Sequence, residues 1–249
     1  MDTTYFRLRS SSVVSDDVLY MEVDVPKVVQ QKMTIIMKTP ELQSAIRQQQ
    51  QPEPQPQQDI GEGSASFSMS NYRLRSYDLC DTSGLLECMQ AAGVDVNKPT
   101  LFISEVVMVY LPVDRSDALL QLFSSTFTSC AYASYGMTQP HDAYGETMTR
   151  NLLSRGIELD CLTTYPTTEH QITRMKQFGF SHVHCVDMNY VYNNYIDADD
   201  RRRAERSEFM DEFEEWRMIQ EHYCVSVATN CDMYVGYGVQ RAGGIVDEL

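Results

Sequence analysis

Three acidic residues, Asp24, Asp78 and Glu105, stand at or near the ends of three consecutive predicted strands. Because ligands of open α/β sheets bind outside the carboxyl ends of the strands, we expect these carboxylates to line one edge of a sheet and to share a site. Three acids there suit a ligand with hydroxyls, an exocyclic amine and a positive charge, and a nucleoside with a cationic substituent has all three. The alternative is a local role, since an Asp at a strand end often caps the helix that follows.

Glu105 lies inside the most apolar stretch of the chain, residues 100–111, TLFISEVVMVYL. A near-continuous apolar run rich in β-branched residues predicts a central strand that is buried on both faces. A carboxylate within such a run is costly to bury unless it meets a partner. Glu105 therefore either lies near the end of the strand and faces a ligand, or is an internally paired structural acid.

Strand-like and helix-like segments alternate along the chain, which predicts an α/β fold with a doubly wound parallel sheet. Pro26 suits the first position of the helix after the first strand, and Gly93 suits the end of a later helix. Residues 199–222 are predicted to form the longest helix, with one apolar face. The predicted strands are 18–25, 72–79, 100–111, 130–135, 182–187 and 223–229.

The domain organisation follows from where this alternation is interrupted. Residues 46–70 include the low-complexity run QQQQPEPQPQQ at 48–58, which can bury nothing and predicts a disordered surface insertion. The alternation resumes directly after it, so we expect one domain over 1–235 with the insertion inside it. The Gly-rich tail, 236–249, is expected to be flexible.

Composition restricts the class of protein. The net charge of −15 argues against a general nucleic-acid binder, which would carry a basic surface. Seven cysteines at irregular spacing, with no CxxC, indicate reduced thiols in an intracellular protein. No apolar run approaches the roughly 18 residues that a membrane span needs. We expect a cytoplasmic or nuclear protein that binds neither membrane nor nucleic acid.

The histidines and the basic run offer weaker candidates. His182, His184 and Cys185 could suggest a metal site, but no second group of ligands accompanies them, so we predict a structural role and no metal. His141 and Asp142 follow a proline and are interpreted as a turn. The arginines at 201–203 are interpreted as a surface contact.

Several motifs, in the same order, closely resemble the leucine carboxyl methyltransferase family: MDTTYFRL, MEVDVP, YDLCD, TLFISEVVMVYL and SEFMDEFEEWRMIQEHYCVSVAT. The resemblance runs from residue 1 to about 230, apart from the Gln-rich insertion. It implies a class I, Rossmann-like methyltransferase fold. It also implies methyl transfer from S-adenosyl-L-methionine to the C-terminal leucine carboxylate of the protein phosphatase 2A catalytic subunit, by a monomer.

The resemblance assigns roles to individual positions. Asp24 is similar to the acid that holds the ribose of the cofactor, and Asp78 with Leu79 resembles the adenine site. Glu105 resembles the acid that meets the methionine end of the cofactor, and Tyr110 a tyrosine that lines the methyl-transfer cleft. The segment 135–145 resembles the part that helps to bind the phosphatase tail. No catalytic base is expected, since a C-terminal carboxylate is already ionised at neutral pH.

Two departures from the family pattern carry further expectations. In the family, a first strand with a Gly-x-Gly loop comes directly before the MDTT segment, and helices precede that strand. This chain starts at MDTT, so we expect an N-terminally truncated sequence whose sheet has a gap between the strands that carry Asp24 and Glu105. Such a chain is predicted to fold poorly and to have little or no methyltransferase activity. Gly136 also stands where the family commonly has an acid.

Two other functions compete with carboxyl methyl transfer. The chain could be a catalytically inactive fragment that acts as a phosphatase-binding module. It could also be a tRNA-modifying relative of the same fold, although its acidic balance weighs against that alternative.

Overall fold

The computed structural model describes residues 2–46, 57–61, 64–207 and 211–232. The chain divides into two compact units, Met1–Asp95 and Val96–Leu249. Each unit has its own four-stranded sheet. The residues of the predicted domain, 1–235, are divided between these two units, and the predicted tail, 236–249, lies outside the described residues.

The first unit has a mixed sheet with the strand order β1-β4-β3-β2, and α2 packs against the face that carries Phe67 and Tyr72. The strands β1 and β4 are parallel, and the other two pairs are antiparallel. Its helices are α1 (Thr4–Ser10), α2 (Pro26–Lys38), α3 (Pro40–Ile46) and α4 (Leu85–Ala91). Its strands are β1 (Tyr20–Asp24), β2 (Gln57–Gly61), β3 (Ser64–Met69) and β4 (Tyr72–Ser76).

The core of the first unit comes from alternate strand residues and from one stripe of α2. Val29, Met33 and Ile36 recur at helical spacing along α2 and are buried, as the apolar stripe predicted. They pack with Phe67 and Tyr72, which point to the same side of the sheet. The sequence pattern thus places this helix correctly.

The structure corrects the prediction of a disordered insertion over 46–70 for residues 57–61 and 64–70, whereas residues 47–56 and 62–63 lie outside the described part of the chain. Two of its parts form the antiparallel strands β2 and β3, which pair from Gln57↔Ser68 to Gly61↔Ser64. The strand β3 alternates in burial, with Ala65, Phe67 and Met69 in the core. The polar and Gly-containing composition hid a strand whose buried face has only three apolar residues.

The second unit is also mixed, with the strand order β5-β6-β8-β7. Only β5 and β6 are parallel, because β8 runs antiparallel to both of its neighbours. The prediction of an all-parallel sheet is therefore wrong, while the α/β class is confirmed. The strands are β5 (Thr100–Glu105), β6 (Cys130–Met137), β7 (His182–Asp187) and β8 (Tyr223–Thr229).

Seven helices are described in the second unit, and the longest described in either unit is α5 with 14 residues. The single helix predicted over 199–222 is corrected to α10 and α11, since residues 211–212 between them are not helical. No described helix is both long and apolar enough to span a membrane. The seven are α5 (Val113–Thr126), α6 (Ala143–Leu153), α7 (Asp160–Thr164), α8 (Thr168–Gln177), α9 (Met188–Asn194), α10 (Ala198–Ser207) and α11 (Phe213–Glu221).

The strand β5 is shorter and more exposed than predicted. It ends at Glu105, and a 3₁₀ turn, Met108–Tyr110, follows where the sequence predicted more strand. Phe102 stacks on Phe123 on one face, whereas Leu101 and Ile103 are 57% and 54% exposed on the other. The strand lies at the end of its sheet order, so it is not the central strand buried on both faces that its composition indicated.

Candidate functional site

Glu105 is the last residue of β5 and lies beside Tyr135 of β6 in the parallel register. It is exposed, and no ion pair is found for it among the described residues. The next residue, Val106, donates its N–H to the carbonyl of Tyr135 at 2.8 Å and has a φ of +50°. A β-branched residue is rarely found in this left-handed region. Of the two alternatives for Glu105, the strand-end position is the one observed.

Four tyrosines gather around this end of the second sheet: Tyr110, Tyr135, Tyr144 and Tyr223. The rings of Tyr135 and Tyr223 stack with centroids 5.2 Å apart. Burial raises the pKa of Tyr223, and the neighbouring Tyr144 and Tyr110 raise it further. Burial likewise raises the pKa of Tyr135, with smaller contributions that include Glu105. We call Glu105 and these four tyrosines the tyrosine cluster.

Tyr110, which the sequence assigned to the methyl-transfer cleft, is 48% exposed in the tyrosine cluster. The 3₁₀ turn places it five residues after Glu105, on the same side of the sheet edge. Electron-rich ring faces beside a carboxylate can hold a cationic group. The structure therefore brings Tyr110 and Glu105 to one end of the unit.

A cavity of about 40 Å³ lies beneath the turn that carries Tyr110. Its lining includes Ser104, Ser134 and Arg174. A space of this size can hold ordered water but not a nucleoside. The cavity is therefore not the binding site of a nucleoside-sized ligand.

Arg174 anchors this scaffold. Its side chain is 4% exposed, and it donates from Nε to Asp117 at 2.7 Å and from Nη2 to the hydroxyl of Ser116 at 2.6 Å. Tyr165 stacks under the guanidinium at 4.3 Å and donates its hydroxyl to Asp117 at 2.9 Å. Because its charge is paired and hydrogen-bonded, burying the Arg174 side chain costs little free energy. We therefore interpret Arg174 as a structural residue.

The β6–α6 loop, residues 138–142, leaves the carboxyl end of β6 next to the tyrosine cluster. Asp142 caps α6 by accepting the N–H of Gly145 at 2.7 Å, as a helix N-cap does. The same carboxylate oxygen meets Nε2 of His222 at 2.8 Å. The Gly145 N–H holds the pKa of Asp142 below its ordinary value, and His222 contributes to the same lowering.

In the first unit, Asp24 and Asp78 come to one edge of the sheet, as predicted. Asp24 ends β1, and Asp78 lies two residues beyond β4, which pairs in parallel with β1. The N–H of Tyr77 bonds to the carbonyl of Asp24 at 3.0 Å, which joins the two strand ends. Asp78 is exposed and Leu79 is half-buried.

Each of these two carboxylates also has a local role. Oδ1 of Asp24 accepts the N–H of Val25 at 2.7 Å, and Oδ1 of Asp78 accepts the N–H of Cys80 at 2.9 Å. The second oxygen of each side chain has no hydrogen bond described within this part of the chain. A local role and a ligand-binding role are therefore compatible for each carboxylate. One oxygen holds the turn, and the other is not used by the local hydrogen bond.

The predicted site residues fall into two groups. Asp24, Asp78 and Leu79 belong to the first unit, and Glu105 and Tyr110 belong to the second. Sequence reasoning missed Asp142 and His222, interpreting the first as part of a turn. The signal for Asp142 was its place before α6, whereas no local pattern marks His222, whose partner is 80 positions away.

The histidines considered as metal ligands have other partners. Nε2 of His184 meets the hydroxyl of Tyr195 at 2.8 Å, and Nε2 of His182 meets Asp232 at 2.7 Å. Among the residues that the structure describes, no group of three or more His, Cys, Asp or Glu is placed to hold a metal ion.

Comparison with known proteins places these residues in a family. The family model described as Leucine carboxyl methyltransferase matches residues 1–124. A relative named Leucine carboxyl methyltransferase 1 homolog, from Arabidopsis thaliana, is 34% identical over 98% of this chain and 71% of its own length. The Caenorhabditis elegans protein Leucine carboxyl methyltransferase 1 is 32% identical over 90% of this chain and 66% of its own length.

The same region also resembles proteins of another name. A rat protein named tRNA wybutosine-synthesizing protein 4 is 33% identical over 93% of this chain, which spans only 33% of that protein. A solved structure of a Haemonchus contortus phosphoethanolamine methyltransferase aligns with a TM-score of 0.36 and 11% identity. That structural similarity is too low to support an inference about substrate or cofactor.

The fold and the site define an α/β protein whose acidic residues stand at strand ends. The chain belongs to the leucine carboxyl methyltransferase family, as its motifs predicted. Membership confirms the predicted fold class, a Rossmann-like class I methyltransferase fold, and supports a carboxyl methyltransferase role.

Proposed function

We propose that this chain transfers a methyl group from S-adenosyl-L-methionine to the C-terminal leucine carboxylate of the protein phosphatase 2A catalytic subunit. The observation that carries the proposal is the family match, since a relative named for leucine carboxyl methyl transfer aligns over 98% of this chain. All five predicted site residues lie within the residues that the family model matches.

Each unit has residues that suit one part of this cofactor. Glu105 is an exposed carboxylate among tyrosine rings, which suits a cationic sulfonium and its amino acid end. Asp24 and Asp78 each keep one oxygen free of described local bonds, which suits ribose hydroxyls and an exocyclic amine. The backbone N–H of Leu79 would meet the adenine ring.

Methyl transfer to a carboxylate requires no acid or base catalysis from the protein. S-adenosyl-L-methionine supplies an electrophilic methyl group when it is bound. The leucine carboxylate is already ionised at neutral pH, so the chain needs no base to generate the nucleophile. Its residues have to remove water from that carboxylate and hold it in line with the methyl group. Tyr110 and the β6–α6 loop are the elements of the second unit that we assign to this positioning.

The test is incorporation of a labelled methyl group into a peptide that ends in a free leucine carboxylate. The matched control is the same peptide with a C-terminal leucinamide, which removes the nucleophile and leaves the rest of the sequence intact. We expect label only in the free acid. Equal labelling of both peptides would show that the methyl group goes elsewhere and would overturn the proposal.

The second candidate is a phosphatase-binding module without catalysis. The observation that favours it is the division of the cofactor residues between two sheets, in which β1 and β5 each occupy an end of the strand order. Binding of the leucine-terminated peptide, together with no methyl transfer and no cofactor binding in calorimetry, would support this candidate. The predictions of little activity and poor folding are tested by the same measurements.

The adenine assignment is tested at Asp78. We expect Asp78→Ala to weaken cofactor binding at least about tenfold, because the exocyclic amine would lose a charge-assisted hydrogen bond. Asp78→Asn keeps an acceptor for the Cys80 N–H and separates loss of the turn from loss of the ligand contact. Asp59→Ala, an exposed acid on β2, is the control. Unchanged affinity in isothermal titration calorimetry of Asp78→Ala would refute the assignment.

A further inference from the structure

The β6–α6 loop, residues 138–142, is held in a strained conformation. Gln139 has a φ of +57°, which a non-glycine residue adopts only when its surroundings impose it. Its N–H bonds to the carbonyl of Pro166 at 2.7 Å, and the Thr138 hydroxyl bonds to the same carbonyl at 2.8 Å. A Cβ on Gly145 would come within 2.2 Å of the Gln139 carbonyl oxygen. The first turn of α6 is therefore pressed against the loop.

His222 closes this arrangement from the other side. The residue is fully buried and follows the last turn of α11. Its backbone carbonyl accepts the N–H of Thr138 at 2.9 Å, and its ring lies 4.4 Å from the ring of Tyr144. The ring nitrogens meet Asp142 at 2.8 Å and the carbonyl of Met218 at 2.7 Å.

Both partners of the His222 ring are acceptors. A backbone carbonyl has no hydrogen to give, and Asp142 is held as a carboxylate by the Gly145 N–H. The ring is therefore held between two acceptors, the Asp142 carboxylate at the start of α6 and the Met218 carbonyl in α11.

We propose that His222 is a positioning residue that fixes the β6–α6 loop to receive the leucine-terminated tail. The loop leaves β6 beside Glu105 and leads directly into Tyr144 of the tyrosine cluster. His222 contacts both ends of the loop, Thr138 through its carbonyl and Asp142 through its ring. This inference rests on the proposed function, because it concerns the same substrate.

The test compares His222→Gln with wild type in the full chain by calorimetry. The probes are a leucine-terminated peptide and S-adenosyl-L-methionine. We expect the dissociation constant of the peptide to rise about tenfold, which corresponds to about 1.4 kcal/mol, while cofactor affinity is unchanged. His182→Gln is the matched control. His182 also pairs with an aspartate, but it lies beside Thr229, at the end of β8 opposite to Tyr223. It should leave both affinities unchanged.

Two further readouts separate positioning from a merely structural role. In the methyl-transfer assay, His222→Gln should raise the KM for the peptide about tenfold and leave kcat near that of wild type. Asp142→Asn keeps the helix cap but weakens the contact with the His222 ring, so we expect it to weaken peptide binding about threefold. This variant keeps the inference testable if His222→Gln does not fold.

The possible failures are distinguishable. If wild type binds the peptide and neither variant weakens it, the role of His222 is refuted while the proposed function stands. If wild type binds no leucine-terminated peptide, the proposed function fails, and the role of His222 fails with it.

Discussion

At the scale of single residues, Val106 combines a β-branched side chain with a left-handed backbone directly after Glu105. Such a conformation costs about 1–2 kcal/mol in an L-residue and about nothing in glycine. The strain is maintained because the Val106 N–H is bonded to Tyr135. It turns the chain sharply out of β5 and leaves Glu105 at the exposed edge of the sheet.

We therefore expect Val106→Gly to have a free energy of unfolding about 1 kcal/mol above that of Val106→Ala. Both variants remove the same valine methyl groups, so the comparison isolates the backbone. Urea denaturation followed by circular dichroism measures the difference. Equal stabilities of the two variants would show that the left-handed conformation is not strained here.

Asp142 predicts a dependence of stability on pH. Its pKa in the folded state lies below its ordinary value, chiefly because of the Gly145 N–H. The carboxylate then contributes stability that is present above its unfolded pKa of about 3.9 and is lost as the pH falls through the lower folded pKa. We expect Asp142→Ala to cost about 1 kcal/mol near neutral pH, the usual cost of a lost N-cap.

The cost of Asp142→Ala should shrink in acid, where wild type has lost the same carboxylate. Asp142→Asn keeps an uncharged cap, so its cost relative to wild type should be smaller than that of Asp142→Ala and should shrink over the same pH range. Urea denaturation curves at neutral and acidic pH give both comparisons. A cost that grows on acidification would contradict the lowered pKa.

At the scale of elements, β3 is the part of the fold that composition concealed. Its Phe67 is fully buried in the first core, next to Tyr72 at a centroid distance of 6.2 Å. Its neighbours in sequence are polar and small, so the window as a whole resembled a linker. The antiparallel pairing of β3 with β4 supplies the stability that its own composition does not.

We expect Phe67→Ala to lower the free energy of unfolding by about 3–5 kcal/mol, the range for a buried phenylalanine. Ile60→Ala is the matched control, because Ile60 lies on the neighbouring strand β2 and is 60% exposed. It should change stability by less than about 0.5 kcal/mol. Chemical denaturation measures the free energy of unfolding of both variants. An unchanged stability of Phe67→Ala would restore the prediction of a disordered insertion.

At the scale of the whole molecule, the net charge of −15 weighs against the tRNA-modifying alternative. Affinity for nucleic acid depends on cationic side chains that release counterions from phosphates. A strongly acidic chain repels the same phosphates, so we expect no general affinity for tRNA. A protein tail with a single terminal carboxylate is the ligand that we propose.

We expect no saturable binding of fluorescently labelled tRNA at protein concentrations up to about 10⁻⁴ M in anisotropy titrations at physiological salt. Lowering the salt should not reveal binding, because it strengthens repulsion between two anions. Saturable binding that tightens at low salt would favour the tRNA-modifying alternative.

The sequence by itself determined the α/β alternation, most element positions, the family, and the edge shared by Asp24 and Asp78. These features depend on local patterns, such as the apolar stripe of α2 and the Pro26 start, or on motifs that survive as contiguous strings. The strand end was one of the two alternatives for Glu105, and its strand was predicted to be central because composition reports apolarity and not sheet position.

Only the tertiary structure decided the contacts between distant segments. It divided the strands between two mixed sheets, made β3 part of a core, and joined Asp142 to His222 across 80 positions. A hydrogen bond of that kind depends on where β6, α6 and α11 meet, and no pattern within a turn or a strand encodes it. The physical reason is that burial and partners are properties of the assembled chain, whereas periodicity and capping are properties of a few neighbouring residues.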